Sequence, residues 1–379
     1  MTAPAPLAVV VPGSVDDPLR PSGGNTYDLR AVAALRRLGV PVRRLDVPGG
    51  WPWPSPDDEA GLGAALSAVP DGGVVLVDGL VGCAAPDVVA AHAARVRLAL
   101  LVHLPLADET GLTAADAAAL GGREGRAVRA AAVVVATSRA TAARVESLHG
   151  LPPGSVGVAA PGAAPAAPTT PSDDGGRLLC VASLTPRKGQ DVLLAALATL
   201  APGPPWRLVL AGPADPAFEA GLRTTAAGPG LDGRVTFAGP LAGPALDAAY
   251  AAADLLVLPS RAEPYGMVVT EALARAVPVV ATDVDGVPEA LGTTPAGGRP
   301  GLLVPAGDPA ALAAALTGWL TDPALRARLR AAAAQCRAHL AGWPATAAAL
   351  LTVLGRAVPA TRDCLPPGPD PAPDPGSPA

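Results

Sequence analysis

Short runs of apolar residues alternate with longer amphipathic stretches along most of the chain. This alternation is typical of parallel sheets whose strands are joined by crossover helices. In the first half the pattern predicts strands at residues 7–11, 40–44, 74–77, 98–103, 133–136 and 156–158. In the second half it predicts strands at residues 177–181, 207–211, 235–238, 255–258, 277–282 and 301–304. We therefore expect an α/β protein with two parallel sheets.

The helix after the first strand has a clear apolar stripe. Residues 25–38 place Leu29, Val32, Leu35 and Leu38 at three-residue steps, and the arginines of the segment lie off this stripe. Such spacing puts the four apolar side chains on one face of a helix. The stripe predicts that this helix packs on a sheet.

A Pro-rich and Ser/Thr-rich segment at residues 161–176 divides the two series of strands and predicts an interdomain linker. We expect an N-terminal Rossmann-like domain at residues 1–165 and a C-terminal one at 166–341. A helix at 342–357 is expected to return to the N-terminal domain. The Pro-rich tail at 358–379 is expected to be disordered.

Composition and charge narrow the class of protein. Of the 379 residues, 50% are hydrophobic and 16% are charged, which suits a two-domain globular protein. The net charge of -5 argues against nucleic acid as a partner. The N-terminus has no signal-peptide pattern and no apolar run is long enough to span a bilayer, so we expect a cytoplasmic protein. The cysteines lie too far apart to suggest a zinc site or a disulfide framework: Cys83, Cys180, Cys336 and Cys364.

Two segments could bind phosphate. Gly23 and Gly24 lie in the loop between the first strand and a helix starting near Asn25, where unpaired backbone amides favour an anion. A merely flexible loop is the alternative. Arg187 and Lys188 follow the strand ending at residue 181, and Lys188 is the only lysine in the chain. Two cations at a strand's carboxyl end suit a diphosphate, and an exposed basic pair is the alternative.

The strongest signal is the segment RAEPYGMVVTEALA. Glu263 precedes a predicted helix and Glu271 lies in its second turn, eight residues later. The amides of Gly266, Met267 and Val268 lie between the two carboxylates. Carboxylates suit vicinal hydroxyls and amides suit phosphate, so the segment could bind a nucleotide sugar along its length. The alternative assigns both glutamates to solvent and to helix capping.

This segment resembles the E-x7-E segment of the retaining glycosyltransferases of family 4, which have the GT-B fold, and the resemblance extends over residues 7–355. It implies that Lys188 and Arg187 hold the diphosphate, that Glu271 binds the ribose and that Glu263 binds the transferred sugar. It also implies that Gly266 to Val268 supply amides to the phosphates, that Gly24 approaches them from the opposite domain, and that the donor site includes Gly23 and Tyr265.

Further residues match the family's pattern. His103 ends a predicted strand, and the family's histidine at this place contacts the transferred sugar; the alternative is a structural histidine. Gly286 and Glu289 match the segment after the next strand. Glu124 matches a glutamate that the family often has, with a solvated helix residue as the alternative. We interpret the other three histidines as structural: His92, His149 and His339.

The sequence departs from the family at two places. Ala182 and Ser183 stand where Gly-Arg is usual, so one expected cation is missing and Arg187 is a candidate substitute. Asp285 stands where the family has the first of two glycines, which changes the loop near the donor sugar.

The resemblance implies metal-independent transfer with retention and front-face attack, in which His103, Lys188 and Glu263 are the catalytic candidates and no cofactor is needed. Asp283 and Asp285 form a D-x-D that we interpret as unrelated to metal.

The expected partners are a nucleotide sugar and a hydroxyl-bearing acceptor, whose identity the sequence does not select. The alternatives are a GT-B epimerase or phosphorylase, or a two-domain sugar-binding module. The Arg36-Arg37 and Arg43-Arg44 pairs are compatible with peripheral membrane contact, although a solvated face is the simpler interpretation.

Overall fold

The computed structural model describes residues 6–17, 22–200 and 203–356. Within these residues the chain forms two six-stranded sheets, and every paired strand is parallel to its neighbours. The expectation of an α/β fold with two parallel sheets is confirmed.

The first sheet has the strand order β2-β1-β3-β4-β5-β6. Its strands are β1 (Leu7–Pro12), β2 (Val42–Val47), β3 (Val74–Asp78), β4 (Arg97–Val102), β5 (Val133–Ala136) and β6 (Gly157–Val158). The intervening helices are α1 (Gly23–Arg37), α2 (Pro56–Ser67), α3 (Gly79–Gly82), α4 (Pro86–Ala93), α5 (Ala114–Ala130) and α6 (Arg139–His149). The buried strands are continuous apolar runs because helices cover both faces of the sheet.

The second sheet has the order β12-β11-β10-β7-β8-β9. Its strands are β7 (Arg177–Val181), β8 (Arg207–Ala211), β9 (Val235–Gly239), β10 (Leu255–Leu258), β11 (Val279–Thr282) and β12 (Gly301–Val304). Its helices are α7 (Gln190–Ala198), α8 (Pro216–Ala226), α9 (Gly243–Ala251), α10 (Met267–Ala274), α11 (Val287–Leu291), α12 (Pro309–Thr321) and α13 (Pro323–Arg337). Separate apolar clusters fill the two faces of each sheet.

Helix α1 departs from its prediction at both ends. It begins at Gly23 because the Ser22 side chain accepts a hydrogen bond from the Asn25 amide and caps the first turn. Gly23 and Gly24 are therefore helical residues and not part of a glycine-rich loop, which corrects the prediction. At the other end Leu38 is 48% exposed, so its place in the buried stripe was wrong. The buried face is centred instead on Tyr27, Ala31 and Leu35.

The last described helix, α14 (Trp343–Gly355), packs against α1, β5 and β6 of the first sheet. The chain thus passes from the first sheet to the second after β6 and returns before α14. These two crossing segments, the two passages between the sheets, contact each other. The Ala163 amide donates to the Ala341 carbonyl at 2.8 Å. A Cβ atom on Gly162 would lie 2.3 Å from the Trp343 nitrogen, so only glycine fits here. The predicted disordered tail at 358–379 lies outside the described residues.

The described part of the chain contains no helix that is both long and apolar enough to cross a membrane. The arginine pairs considered for membrane contact are partly engaged within the protein. Arg44 forms ion pairs with Asp16 and Asp46, and Arg36 and Arg43 donate to backbone carbonyls.

Candidate functional site

The carboxyl ends of the two sheets face each other, and loops from both meet there. In open α/β sheets ligands bind at this edge, where the strand order reverses. The reversals fall between β1 and β3 in the first sheet and between β7 and β10 in the second. The Ser138 hydroxyl, at the start of α6, donates to the Pro264 carbonyl at 2.6 Å, and the Arg139 amide donates to Glu289 at 3.0 Å. These contacts close one side of a cleft.

Lys188 and Glu263 lie side by side at the carboxyl ends of β7 and β10. Lys188 ends a short 3-10 helix at Pro186–Lys188, and its ammonium lies 2.5 Å from Oε2 of Glu263. The Ser260 hydroxyl donates to the same carboxylate oxygen at 3.1 Å. Only 13% of the lysine side chain and 10% of the glutamate side chain are exposed, so the predicted alternative of solvated side chains is wrong for both.

Arg187 also turns inward instead of forming an exposed pair with Lys188. Its side chain is 15% exposed and donates through Nη1 to the Ala262 carbonyl at 3.3 Å. Its Nε lies 3.7 Å from a carboxylate oxygen of Glu109, which belongs to the first sheet's half of the molecule. This Nε has no hydrogen-bond partner among the described residues. A buried guanidinium with an unpaired donor is suited to receive an anion.

The loop that carries Glu263 is fixed by the Asp285 segment. The Asp285 carboxylate accepts a hydrogen bond from the Glu263 amide at 2.8 Å, and the Gly286 amide donates to the Glu263 carbonyl at 3.1 Å. A Cβ atom on Gly286 would lie 2.1 Å from the Pro264 carbonyl oxygen, so the two loops touch backbone to backbone. Asp285 has a positive φ of 41°, which is uncommon for a residue other than glycine. Asp285 thus supports the Glu263 loop.

Helix α10 begins directly beyond this loop. Gly266 precedes it with φ 88°, a conformation that glycine adopts readily. Since the first amides of a helix have no intrahelical partner, Met267 and Val268 offer free donors. Met267 packs against the apolar cluster of the first sheet that contains Tyr27, so this helix start contacts the opposite half. The neighbouring Tyr265 is half-buried, and burial raises the pKa of its hydroxyl to about 12.

Glu271 lies in the second turn of α10, where the E-x7-E spacing places it. Its carboxylate accepts a hydrogen bond from the Tyr250 hydroxyl at 2.8 Å. Burial raises the pKa of Glu271, although this hydrogen bond and the charges of Arg275 and of Arg30 lower it. Arg30 belongs to α1, so its positive charge acts on Glu271 from the other side of the cleft. Glu263 and Glu271 are therefore neither solvated nor helix-capping residues, so the alternative interpretation of the E-x7-E segment is wrong.

His103 follows β4 on the opposite side of the cleft. Its Nε2 lies 3.0 Å from a carboxylate oxygen of Asp28 and 3.8 Å from one of Asp78. A Cβ atom on Gly24 would lie 3.2 Å from the His103 ring, so the structure brings these two candidates together. Around Gly23 the described residues leave open space. Burial lowers the pKa of His103, and the charge of Asp78 raises it to a smaller extent.

Glu124 is fully buried, so its interpretation as a solvated helix residue is wrong. Its carboxylate lies 3.1 Å from Nε2 of His149 and accepts a hydrogen bond from the Leu106 amide at 3.4 Å. His149 is thus the buried structural residue that was expected. His92 contacts the Ser67 hydroxyl and the Val88 carbonyl, which is also a structural role.

Sequence reasoning missed four residues that shape the cleft: Asp28, Asp78, Ser138 and Tyr250. Two of them could have been found from the sequence, because each is a carboxylate at an otherwise apolar position. Asp28 is a carboxylate on the buried face of α1, between Tyr27 and Ala31, and Asp78 is the last residue of the apolar strand β3. Buried carboxylates are uncommon unless they are paired, so a polar residue in either place indicates a partner.

The family model for glycosyl transferases group 1 matches residues 167–335, which include Arg187, Lys188 and both glutamates of the E-x7-E segment. Residues 167–335 are a glycosyl transferases group 1 domain. The family resemblance read from the sequence is therefore confirmed for the part of the chain that carries most of the donor-site candidates.

Curated relatives match about half to two thirds of the chain. The chain is 38% identical over 259 residues to a D-inositol 3-phosphate glycosyltransferase from Kineococcus radiotolerans, covering 62% of this chain and 59% of the relative. It is 38% identical over 187 residues to the protein of the same name from Streptomyces avermitilis, covering 47% of this chain and 39% of the relative. The chain thus spans less than two thirds of the length of these relatives.

Solved structures match over almost the whole chain. Sucrose-phosphate synthase from Thermosynechococcus elongatus superposes with a TM-score of 0.73 at 22% identity, covering 93% of this chain and 99% of that one. Anabaena Alr3699/HepE in complex with UDP and glucose superposes with a TM-score of 0.69 at 19% identity, again covering 93% and 99%. These likenesses confirm the expected GT-B fold.

Proposed function

We propose that the chain transfers a sugar from a nucleotide diphosphate sugar to a hydroxyl group of an acceptor, with retention of anomeric configuration and without a metal ion or other cofactor. One observation carries this proposal. The only lysine of the chain lies 2.5 Å from Glu263, at the carboxyl ends of the two central strands of a group 1 domain and directly before α10.

The diphosphate of the donor suits the cations and amides of this site. Lys188 supplies an ammonium, and Arg187 supplies a buried guanidinium donor that the described residues leave unpaired. The amides of Met267 and Val268 at the start of α10 add uncharged donors, and the helix dipole favours an anion there. Gly24, at the start of α1, allows close approach from the opposite half. These groups together replace the arginine that Ala182 and Ser183 do not provide.

The sugars suit the two carboxylates. Glu271 is oriented by the Tyr250 hydroxyl and is proposed to accept hydrogen bonds from ribose hydroxyls. Glu263 is proposed to bind hydroxyls of the transferred sugar, because Lys188 and Ser260 hold its carboxylate at the cleft. His103 and Tyr265 complete the proposed donor site from either side.

Catalysis is proposed to depend on stabilisation of the departing diphosphate by the protein. The bond between the anomeric carbon and the diphosphate oxygen breaks as the acceptor oxygen bonds to the same face of the sugar. The acceptor proton passes to the departing diphosphate, so no protein base is required. Lys188 stabilises the negative charge that grows on the diphosphate more strongly in the transition state than in the ground state.

The relatives indicate the first substrates to test. Alr3699/HepE structures hold UDP and UDP-glucose, and several relatives are named D-inositol 3-phosphate glycosyltransferase. We therefore propose UDP-sugars as the first donors, with D-inositol 3-phosphate as the first acceptor in a panel of hydroxyl compounds.

Calorimetry with UDP, GDP and ADP tests the nucleotide site, and at least one of the three is expected to bind. The absence of heat with all of them would overturn the proposal. Nuclear magnetic resonance then follows UDP-glucose with and without the acceptor panel. An α-linked product formed with the metal chelator EDTA present supports retention without a metal. Conversion of the donor in the absence of any acceptor would instead identify an epimerase.

A further inference from the structure

Two buried carboxylates lie against the ring of His103. Asp28 is 3% exposed and Asp78 is 4% exposed, and both face Nε2 of the histidine. One oxygen of Asp78 accepts a hydrogen bond from the Leu80 amide at 2.6 Å. One oxygen of Asp28 lies 3.0 Å from His103 Nε2, and its other oxygen is buried without a hydrogen-bond partner among the described residues. The ring also contacts Tyr27, with the two centroids 5.0 Å apart.

These carboxyl groups are too close and too deeply buried for both to be ionised. Burial raises the pKa of Asp28 to about 7, although the neighbouring Asp78 side chain acts to lower it. Burial raises the pKa of Asp78 well above its ordinary value, and the charge of Asp28 raises it further. Two such carboxyl groups hold one proton between them. Asp28 is the group that carries the negative charge, because its oxygen lies 3.0 Å from Nε2 and can accept a hydrogen bond from it, whereas the nearest Asp78 oxygen lies 3.8 Å away.

His103 is neutral in this environment because burial lowers its pKa. A neutral imidazole has one protonated nitrogen and one acceptor nitrogen, and its hydrogen bonds decide which is which. Asp28 as a carboxylate can only accept, so Nε2 must carry the hydrogen. Nδ1 is then the acceptor, and among the described residues only Nε2 of this ring has a hydrogen-bond partner.

We propose that Asp28 is a positioning residue that holds His103 with Nε2 protonated, so that Nδ1 accepts a hydrogen bond from a hydroxyl group of a ligand in the cleft. The inference rests on the proposed function for the identity of the ligand, a sugar hydroxyl, but the state of the ring itself is independent of any activity. Asp78 completes the arrangement by sharing one proton with Asp28.

The arrangement has a consequence for substrate choice. A site that accepts a hydrogen bond from one hydroxyl discriminates strongly against an analogue without it, because the buried acceptor is then left unpaired. The His103 acceptor therefore favours donors with a free hydroxyl at the sugar position that faces Nδ1.

Nitrogen-15 resonance of protein labelled at its histidines tests the ring directly. The chain has four histidines, so the spectrum of His103→Gln identifies the His103 signals by their loss. We expect Nε2 to be protonated and Nδ1 unprotonated at pH 7. A His103 ring protonated at Nδ1, or at both nitrogens, would overturn the proposal whether or not the chain transfers sugar.

Two substitutions distinguish a positioning role of the Asp28 side chain from a role in filling space. In Asp28→Asn the new side-chain carbonyl can still accept from Nε2 while the amino group donates to an ionised Asp78, so the Nε2-protonated form should persist. Asp28→Val removes the acceptor, and we expect a mixture of ring forms together with at least a tenfold lower kcat/KM for UDP-glucose. A wild-type His103 spectrum in Asp28→Val would refute a positioning role for Asp28.

The same three side chains could in principle hold a divalent cation, and the experiment distinguishes this case. Stoichiometric Zn²⁺ should leave the His103 signals unchanged if the carboxylates share a proton. Displacement of these signals by Zn²⁺ in the wild type, and its loss in Asp28→Asn, would replace the proposal with a metal site.

Discussion

The ammonium of Lys188 and the carboxylate of Glu263 form a nearly buried ion pair, although 75 residues separate them in the chain. Each side chain therefore neutralises and orients the other. A buried charge that loses its partner is costly, so the pair also links the loops after β7 and β10. An anionic ligand that approaches Lys188 competes directly with Glu263 for its hydrogen bonds.

Lys188→Ala should abolish transfer. Loss of one fixed donor to a developing charge costs about 100-fold to 1000-fold in kcat, and loss of a full cation should cost at least as much. Initial rates at saturating donor test this expectation, and circular dichroism verifies that the variant remains folded. Arg126→Ala is the matched control, since Arg126 pairs with Asp87 on an exposed surface. A Lys188→Ala enzyme with near-normal turnover would refute the assignment.

Glu263→Gln should separate binding from turnover. The neutral amide no longer competes for Lys188, so UDP should bind at least as tightly as to the wild type. Contacts with the transferred sugar weaken, so we expect kcat to fall about 100-fold. Calorimetry with UDP and steady-state rates with UDP-glucose give the two quantities. Weaker UDP binding together with an unchanged kcat would contradict the proposed role of Glu263.

Gly286→Ala should disturb the Glu263 loop. The added methyl group would lie 2.1 Å from the Pro264 carbonyl oxygen, so the two backbones must separate. We expect at least a tenfold loss of donor affinity and destabilisation of about 1 to 3 kcal/mol from overpacking. Gly221→Ala is the matched control, because Gly221 lies in α8 with open space around it. It should be neutral or slightly stabilising. Equal behaviour of the two variants in calorimetry would argue against this packing role.

Asp254 should make stability depend on pH at the acid end. Burial raises its pKa, but hydrogen bonds from Arg177 and Ser172 outweigh burial and lower the pKa from 3.8 to about 2. The folded state therefore prefers the ionised form, and the stabilisation of about 2 kcal/mol is present above pH 4 and is lost as the pH falls to 2.

Equilibrium unfolding in urea at several pH values tests this expectation. Asp254→Asn should be less stable than the wild type at pH 7, and the difference should shrink between pH 4 and pH 2. Asp232→Asn, on the exposed surface, should behave as the wild type at every pH. A difference between Asp254→Asn and the wild type that does not change with pH would contradict the assignment.

The inner strands could be predicted from the sequence because they are buried and form continuous apolar runs, as β1 and β10 do. The edge strand β2 is only partly buried, and the predicted residues 40–44 overlap it at 42–44 alone. Helix ends were less predictable. The apolar step of three residues placed Leu38 in the buried face of α1, but the helix ends before it and the side chain is exposed. The capping hydroxyl of Ser22 moved the start of the same helix to Gly23.

The candidate site was predictable only where its residues are close in sequence. The E-x7-E spacing placed Glu263, Gly266 and Glu271 correctly around the start of α10, because eight residues span a loop and two helical turns. The Lys188–Glu263 pair and the Asp28–Asp78–His103 cluster join residues from different strands and helices. Their contacts depend on strand order, which no local pattern contains.

The hydrogen bond between Ala163 and Ala341 marks the place where the chain's two passages between the sheets touch. Because both passages are tied together there, a rotation of one half about this point would leave the crossover intact. The same rotation would separate Ser138 from Pro264 and Arg139 from Glu289 on the cleft side. Wider opening of the cleft is therefore coupled to the loss of these contacts.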